Sequence, residues 1–297
     1  MSDLVSVVIP VFNAERYLAE TLASVSAQTY RTIEVVVVDD GSTDRSVAIA
    51  RDAGERVVVV PQENLGPAAA RNRGARTARG RWIAFLDADD TWAPDKIERQ
   101  LATCGHLPWS HTDSVFVGGA NDGRRDSALT PKSGGAVLEP LVRGNFICTS
   151  SVVVDRDVLL TAGGFDESLR SIQDWDLWLR IAASHALGYV DEPLVGYRVH
   201  PVSVSRRTRA NLANHLRVID RAFAPGGPAT ALAALKPAAQ AQSLGICSQI
   251  AEEEGDYAFA WSCSARAWAR QPFAPNRLAR FAKISAKWLL NAAGVRR

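Results

Sequence analysis

Runs of β-branched and apolar residues recur along the first half of the chain, each followed by a stretch with helical spacing. Residues 5–10, Val-Ser-Val-Val-Ile-Pro, predict a buried strand. Asn13 then stands where a cap is needed for a helix carrying Tyr17, Leu18, Leu22 and Val25 on one face. The next apolar run, 33–38, ends on Asp39-Asp40-Gly41-Ser42, and 46–53 returns to helical spacing. Runs at 56–60 and 82–86 repeat the theme around an Ala/Arg-rich helix at 68–78. Strands alternating with helices at this interval predict an α/β fold with a mostly parallel, twisted sheet flanked by helices.

After Thr91 the pattern changes. Pro94 fits the start of a helix ending near Cys104. Residues 110–117 alternate as an exposed strand does, and 118–135, rich in Gly and Asp, read as a mobile loop. A strand at 150–154, a helix around 174–183 and a strand-like 186–200 complete a first domain. Beyond Ser205 the chain is Ala-rich and helical, interrupted by Pro225-Gly226-Gly227-Pro228. The expected domains are therefore 1–205 and a small helical domain at 206–297.

Composition narrows the classes. With 297 residues, 47% of them apolar, the chain can bury a substantial core. Its 34 Lys+Arg against 32 Asp+Glu leave a net charge of +2, which gives no reason to expect a nucleic acid partner. Cys104, Cys148, Cys247 and Cys263 form no C-x-x-C pair, so free buried thiols are expected rather than a zinc ribbon or a disulfide framework. Met1-Ser2-Asp3-Leu4 lacks the basic and apolar regions of a signal peptide, and no apolar run reaches about eighteen residues. A cytoplasmic location is expected.

The candidate chemistry lies in four stations: Asp39-Asp40, Asp87-Ala88-Asp89-Asp90, Asp174 and Arg198-Val199-His200. The first two each close an apolar run, where an open α/β sheet offers its carboxyl-end crevice to ligands. A turn before Gly41 needs only one of Asp39 and Asp40. Carboxylates at i and i+2, as in Asp87 and Asp89, repel unless a cation compensates, and a hard divalent ion suits them. D-x-D alone is a common accident; its place after 82–86 gives it weight.

Taken together, residues 7–13 (Val-Val-Ile-Pro-Val-Phe-Asn), 37–44 (Val-Val-Asp-Asp-Gly-Ser-Thr-Asp), 64–74 (Asn-Leu-Gly-Pro-Ala-Ala-Ala-Arg-Asn-Arg-Gly) and 86–90 (Leu-Asp-Ala-Asp-Asp) closely resemble the family-two inverting glycosyltransferases of the GT-A fold. The resemblance continues through Gly163-Gly164-Phe165-Asp166-Glu167, residues 173–180 (Gln-Asp-Trp-Asp-Leu-Trp-Leu-Arg) and Tyr197-Arg198-Val199-His200, about two thirds of the chain. Several ordered motifs are far more specific than any one of them.

That resemblance implies a role for each matching position. Pro10, Val11, Phe12, Asn13 and Glu15 would border the base and ribose of a nucleotide sugar, and Asp40 would accept a base N–H, as uracil and guanine edges offer. Gly66 and Arg71 would lie near the nucleotide, whereas Arg73, Arg76, Arg79 and Arg81 read as a solvated face. Asp87 would hold the donor's ribose or a metal water, and Ala88 would border the nucleotide sugar. Asp89 would coordinate Mn²⁺ or Mg²⁺ between the phosphates, with His200 a further metal ligand or phosphate contact. Asp174 would be the general base. Gln173 stands where the family often has Glu, removing a neighbouring charge. Asp176, about 200° further round a helix, cannot face the same acceptor and fits a helix-surface or salt-bridge role. Trp175 reads either as an acceptor platform or as core, and Trp178 as core.

The implied activity is metal-dependent, inverting transfer of a sugar from a nucleoside-diphosphate sugar, a UDP-sugar being favoured, to a glycan or lipid-linked acceptor in bacterial surface-polysaccharide synthesis. Lack of a Gln-x-x-Arg-Trp sequence resembles non-processive members. The alternatives are a sugar nucleotidyltransferase, which would carry a Gly-rich basic loop after its first strand, and a non-catalytic nucleotide-sugar-binding protein, which needs no base. A dinucleotide oxidoreductase lacks its G-x-G-x-x-G. Residues 252–270 resemble a single tetratricopeptide-like helix pair. No acidic residue follows Asp256, while Arg266, Arg270, Arg277, Arg280, Lys283, Lys287, Arg296 and Arg297 are basic. A helix over 276–292 would put Leu278, Phe281, Ser285, Trp288 and Leu289 opposite Arg280, Lys283 and Lys287. That pattern fits peripheral contact with the inner, anionic membrane face.

Overall fold

The computed structural model of the protein describes residues 3–200 and 208–292. The chain divides into two compact units, Met1–Val137 with Phe146–His200 and Leu138–Asn145 with Pro201–Arg297. The limit expected at residue 205 lies outside the described residues, and the second unit takes in a short segment that the sequence pattern placed in the first.

The first unit is built on one sheet of eight strands: β1 Val5–Val11, β2 Ile33–Asp39, β3 Val57–Pro61, β4 Trp82–Phe85, β5 Thr91–Trp92, β6 Trp109–Val117, β7 Val153–Asp155 and β8 Leu187–Arg198. Their order is β3-β2-β1-β4-β7-β6-β8-β5. The β1–β2, β1–β4, β2–β3 and β6–β8 pairs are parallel, while β4–β7, β6–β7 and β5–β8 are antiparallel. Its helices are α1 Leu18–Ser26, α2 Ser46–Asp52, α3 Pro67–Thr77, α4 Lys96–Cys104, α6 Arg156–Thr161 and α7 Gln173–Ala182; the short α5, Leu138–Arg143, belongs to the second unit.

The register places the candidate residues. Val5 lies beside both Ile33 and Trp82, so β1, β2 and β4 run level and their carboxyl ends open on one edge. Phe12, Asp40 and Asp87 leave the sheet there. Branched residues on β1 and β2 meet Leu18, Leu22 and Val25 of α1 on one face. On the other, α3 approaches so closely that a Cβ on Gly74 would stand 2.3 Å from Val8 Cγ1.

Three expectations change. Asn13 does not cap α1, which begins at Leu18 without a side-chain cap; Asn13 adopts φ 50° and spends its side chain on the next loop. Residues 110–117 are not an exposed strand, since β6 lies between β7 and β8 and Ser110–Ser114 are buried. The 118–135 segment is tied down rather than loose. Buried Asp113 accepts from Arg125 Nε at 2.7 Å, from the Ser127 hydroxyl at 2.7 Å and from the Ser127 amide at 3.0 Å, and Lys132 binds Asp126 and the Phe146 carbonyl.

The second unit contains α5 with α8 Thr208–Ala222, α9 Lys236–Glu253, α10 Tyr257–Arg270 and α11 Pro275–Ala292. Gly255 turns α9 into α10, whose first turn is capped by Asp256 accepting from the Phe259 amide at 3.1 Å. The face of α11 expected at a membrane is largely used inside this unit. Trp288 stacks on Trp261, Phe281 lies against Trp261 and Trp268, and the Ser285 hydroxyl accepts the Trp261 indole N–H at 3.0 Å. Arg280, Lys283 and Lys287 converge on Glu252 at 3.2, 3.2 and 2.7 Å. Leu278 and Leu289 alone of that apolar set are exposed. Arg296 and Arg297 lie outside the described residues. No described helix is long and apolar enough to cross a membrane.

Candidate active site

At the carboxyl edge, the loops after β1 and β2 brace each other. The Asn13 side-chain oxygen accepts the Thr43 amide at 2.8 Å, and its own amide donates to the Ser42 hydroxyl at 3.0 Å. The Glu15 amide donates to Asp44 at 3.0 Å, while its carboxylate accepts the Arg45 amide at 3.1 Å. Val11 is a core side chain whose carbonyl accepts the Asp40 amide at 2.7 Å, so it and Pro10 present strand-end backbone. Phe12 projects, 51% exposed.

Asp40 is almost fully buried and already bonded. It accepts from Gln62 Nε2 at 2.7 Å and from the Leu65 and Gly66 amides, both at 2.9 Å. Those bonds shape the entry to α3, where Gly66 at φ 94° precedes Pro67 in the first helical turn. Asp39 makes the turn, accepting the Ser42 amide at 3.2 Å. The two aspartates thus divide the labour: one shapes its own turn, the other the neighbouring loop.

Arg71, one turn into α3, is the arginine of its helix that turns inward; Arg73 and Arg76 are exposed. It meets Asp87 at 2.5 Å and lies over the Phe165 ring, with its guanidinium carbon 5.4 Å from the centroid. Its Nε is buried without a partner among the described residues. Such a donor is costly to leave unpaired and suits an anionic ligand. Asp174 lies in the first turn of α7 and receives the Thr149 hydroxyl at 3.3 Å. Burial pushes its carboxyl above the usual range, Asp87 adds to that, and the charge of Arg71 pulls the other way. Ile172, just before α7, holds φ 65°, strained for a β-branched residue.

Asp89 faces His200, with Oδ2 2.8 Å from Nε2. Burial and then the charge of Asp87 raise its carboxyl, and the histidine opposes them. Ala88 packs its methyl into the core and its carbonyl accepts the Thr21 hydroxyl at 3.0 Å, leaving Asp87 and Asp89 directed outward on either side. The loop is held by Asp90 and Arg198, to which the motifs assign no separate role, and by Ser150. Buried Asp90 accepts the Ser150 hydroxyl at 2.6 Å and the Arg198 amide at 2.8 Å, and Ser150 also accepts the Asp87 amide at 3.1 Å. Arg198 donates to the Asp89 carbonyl at 2.8 Å, pairs with Glu20 at 2.7 Å and lies over Tyr17, which in turn stacks on His200. The third aspartate of the run was the available signal; nothing in the local sequence marks Ser150.

Further motif residues are structural. Asn72 donates to the Phe165 carbonyl and Glu167, both at 2.8 Å, and accepts the Phe165 amide at 2.8 Å. A Cβ on Gly164, which holds φ 67°, would stand 2.6 Å from its side-chain oxygen. Asp176 pairs with Arg180 at 2.8 Å, the salt-bridge alternative. Trp175 is 1% exposed and Trp178 fully buried against Phe85, Trp109 and Phe165, so neither is a platform for an acceptor.

Among the described residues no three His, Cys, Asp or Glu side chains form an ion cage by themselves. Asp89 and His200 nevertheless fit a metal that takes the rest of its shell from phosphate and water. Adjacent ligands about 2.1 Å from an octahedral ion stand about 3 Å apart, close to the 2.8 Å between Oδ2 and Nε2.

A sheet of this order, with carboxylates gathered at the carboxyl ends of its parallel strands and a helical region following, has the GT-A fold. The pattern of glycosyl transferase family 2 matches residues 6–130. TuaG of Bacillus subtilis, a putative teichuronic acid biosynthesis glycosyltransferase, is 32% identical over 207 residues, which span 68% of this chain and 81% of TuaG. The chain belongs to glycosyltransferase family 2. It spans only 31% and 65% of the first curated relatives, uncharacterized glycosyltransferases of Rickettsia bellii and Rickettsia prowazekii. Among solved structures, S. aureus TarS 1–349 aligns with a TM-score of 0.64 at 17% identity, covering 97% of this chain and 92% of its own. The mannosyltransferase PcManGT of Pyrobaculum calidifontis, in complex with GDP-Man and Mn²⁺, aligns with a TM-score of 0.63 at 19% identity, covering 98% and 88%. At these identities the likeness is one of fold.

Proposed function

We propose that the protein is a metal-dependent, inverting, non-processive glycosyltransferase that moves one sugar, a hexose or a related unit, from a nucleoside-diphosphate donor to a hydroxyl of a glycan or lipid-linked acceptor. The observation that carries this is the grouping at one sheet edge of a half-buried base candidate, Asp174, an inward cation, Arg71, and the facing pair Asp89–His200. Structures of the same fold hold UDP-GlcNAc and GDP-Man, and TuaG is assigned to teichuronic acid synthesis. Cytoplasmic assembly of a bacterial surface polysaccharide is the corresponding setting.

Chemically, the acceptor oxygen attacks the anomeric carbon as Asp174 takes its proton, while the bond to the diphosphate breaks and its electrons leave with the nucleotide. Attack opposite the leaving group inverts the carbon, and no covalent enzyme intermediate forms. Phe12, Asn13, Glu15, Asp40 and Gly66 border the nucleoside; Arg71 and Asp87 order the donor between them. Asp89 and His200 would hold Mn²⁺ or Mg²⁺, which when bound supplies positive charge against the departing diphosphate.

The test is a panel of nucleotide sugars with purified protein, reading nucleoside-diphosphate release in the presence of candidate acceptors. Asp174→Asn should keep donor binding and lose transfer by on the order of 10²-fold or more. Normal turnover in that variant would remove Asp174 as base, and absence of binding to any nucleotide sugar would sink the whole reading.

A further inference from the structure

The proposed donor site contains a feature that separates uracil from guanine, the two base edges a carboxylate at position 40 could read. A carboxylate has about four acceptor positions, two on each oxygen. In Asp40, Oδ1 takes two donors, Gln62 Nε2 at 2.7 Å and the Leu65 amide at 2.9 Å, and Oδ2 takes one, the Gly66 amide at 2.9 Å. One position remains, on Oδ2. The backbone of Gln62 is fixed in turn, since its main-chain N–H donates to the Asp39 carbonyl at 2.8 Å just past the β2–β3 pairing. Large apolar side chains lie exposed on either side in the chain: Phe12 follows the carbonyl that binds the Asp40 amide, and Leu65 carries one of the amides that bind its carboxylate.

Guanine presents two parallel donors, N1–H and N2–H, which together need an open position on each carboxylate oxygen. Uracil and thymine present one imide N–H between two carbonyls and need only one. We propose that Gln62 is a specificity-determining residue: by filling Oδ1 of Asp40 it leaves a single acceptor, so the site takes a uridine or thymidine diphosphate sugar and rejects a guanosine one. This rests on the donor site proposed above and goes beyond it by naming the residue that selects the base. Asp40 holds the loop and reads the base at once, and Gln62 decides how much of Asp40 is left for reading.

The experiment is calorimetric titration of the full chain with UDP, dTDP and GDP, each with Mn²⁺ at one salt concentration. UDP and dTDP should bind more tightly than GDP by roughly tenfold or more, the scale of one unmatched bidentate edge. Gln62→Leu opens a position on Oδ1, so the UDP:GDP affinity ratio should fall at least several-fold; Gln62→Met, which keeps the side-chain length without the donor, should do the same. GDP binding as tightly as UDP in the unmodified protein would overturn this inference and leave the transferase reading standing. An unchanged ratio in a folded Gln62 variant would remove Gln62 from selection. Failure of all three nucleotides to bind would overturn both.

Discussion

Replacing Asp89 with Ala removes the carboxylate opposite His200, so nucleoside diphosphate plus Mn²⁺ should no longer raise the melting temperature, because only a ligand bound to the folded state does so. An equal shift in the variant would take Asp89 out of the metal site. His200→Ala should weaken the diphosphate chiefly when metal is present; an identical loss in chelator would place the imidazole on phosphate. The raised carboxyl of Asp174 gives a further expectation. A general base works ionised, so kcat/KM should fall as the pH drops through that raised value, above the ordinary carboxylate position of about 4. The missing limb in Asp174→Asn, with donor affinity kept, is the control. Asp87, Asp89 and Asp174 are legible in the sequence as candidates because the first two close an apolar run as a pair and the third falls in a motif shared with the family. Gln62, Ser150 and Thr149 are not, because an amide or hydroxyl on a loop becomes significant only through the residue it meets in space.

Among elements, α3 and β1 show how packing constrains a motif. Ala at position 74 would drive its methyl into Val8, so Gly74→Ala should cost about 1–3 kcal/mol in chemical denaturation, as overpacking does. In α4, Lys96 is fully buried with Gln100 as its hydrogen-bond partner at 2.8 Å and the Trp92 ring beneath it, and burial lowers its ammonium to about 7. The unfolded chain therefore binds more protons than the folded one between about pH 7 and about pH 10. Across that window this group makes stability rise with pH. Lys96→Met should be the more stable form near neutrality and lose that advantage toward pH 10. Reading the difference between the two proteins cancels the opposing trend of the buried thiols, Cys247 and Cys263, raised to about 12 and about 11. The βα alternation of the first ninety residues was readable because period and length agree. Strand β6 misled for a specific reason: Ser110, His111 and Asp113 are polar yet buried, where Ser110 meets Gln100, His111 Nε2 the Ser133 carbonyl, and Asp113 both Arg125 and Ser127. Polarity predicts exposure only when no partner is waiting inside.

On the scale of the whole molecule, the helical unit depends on α11. Ile284 is fully buried with Ala251 and Ala260, and Trp261 loses two aromatic neighbours and its indole acceptor if the helix is removed. A chain ending at Pro275 should therefore show lower helicity by circular dichroism and a lost or broadened melting transition; an unchanged transition would mean that the helix only rests on the surface. An amphipathic pattern cannot say which neighbour each face meets, and this is why the same residues fitted a lipid surface in the sequence and Trp261 and Glu252 in the structure.

The excursion of α5 has a practical consequence. Leu141 and Val142 are buried, and they belong with α9 although they lie between two stretches of the sheet unit in the chain. A fragment cut at about residue 200 would carry them without α9, and a chimera that grafts a relative's helical half onto this sheet would mismatch them. Modular exchange in this protein requires a double splice, in which residues 138–145 travel with the carboxyl-terminal helices.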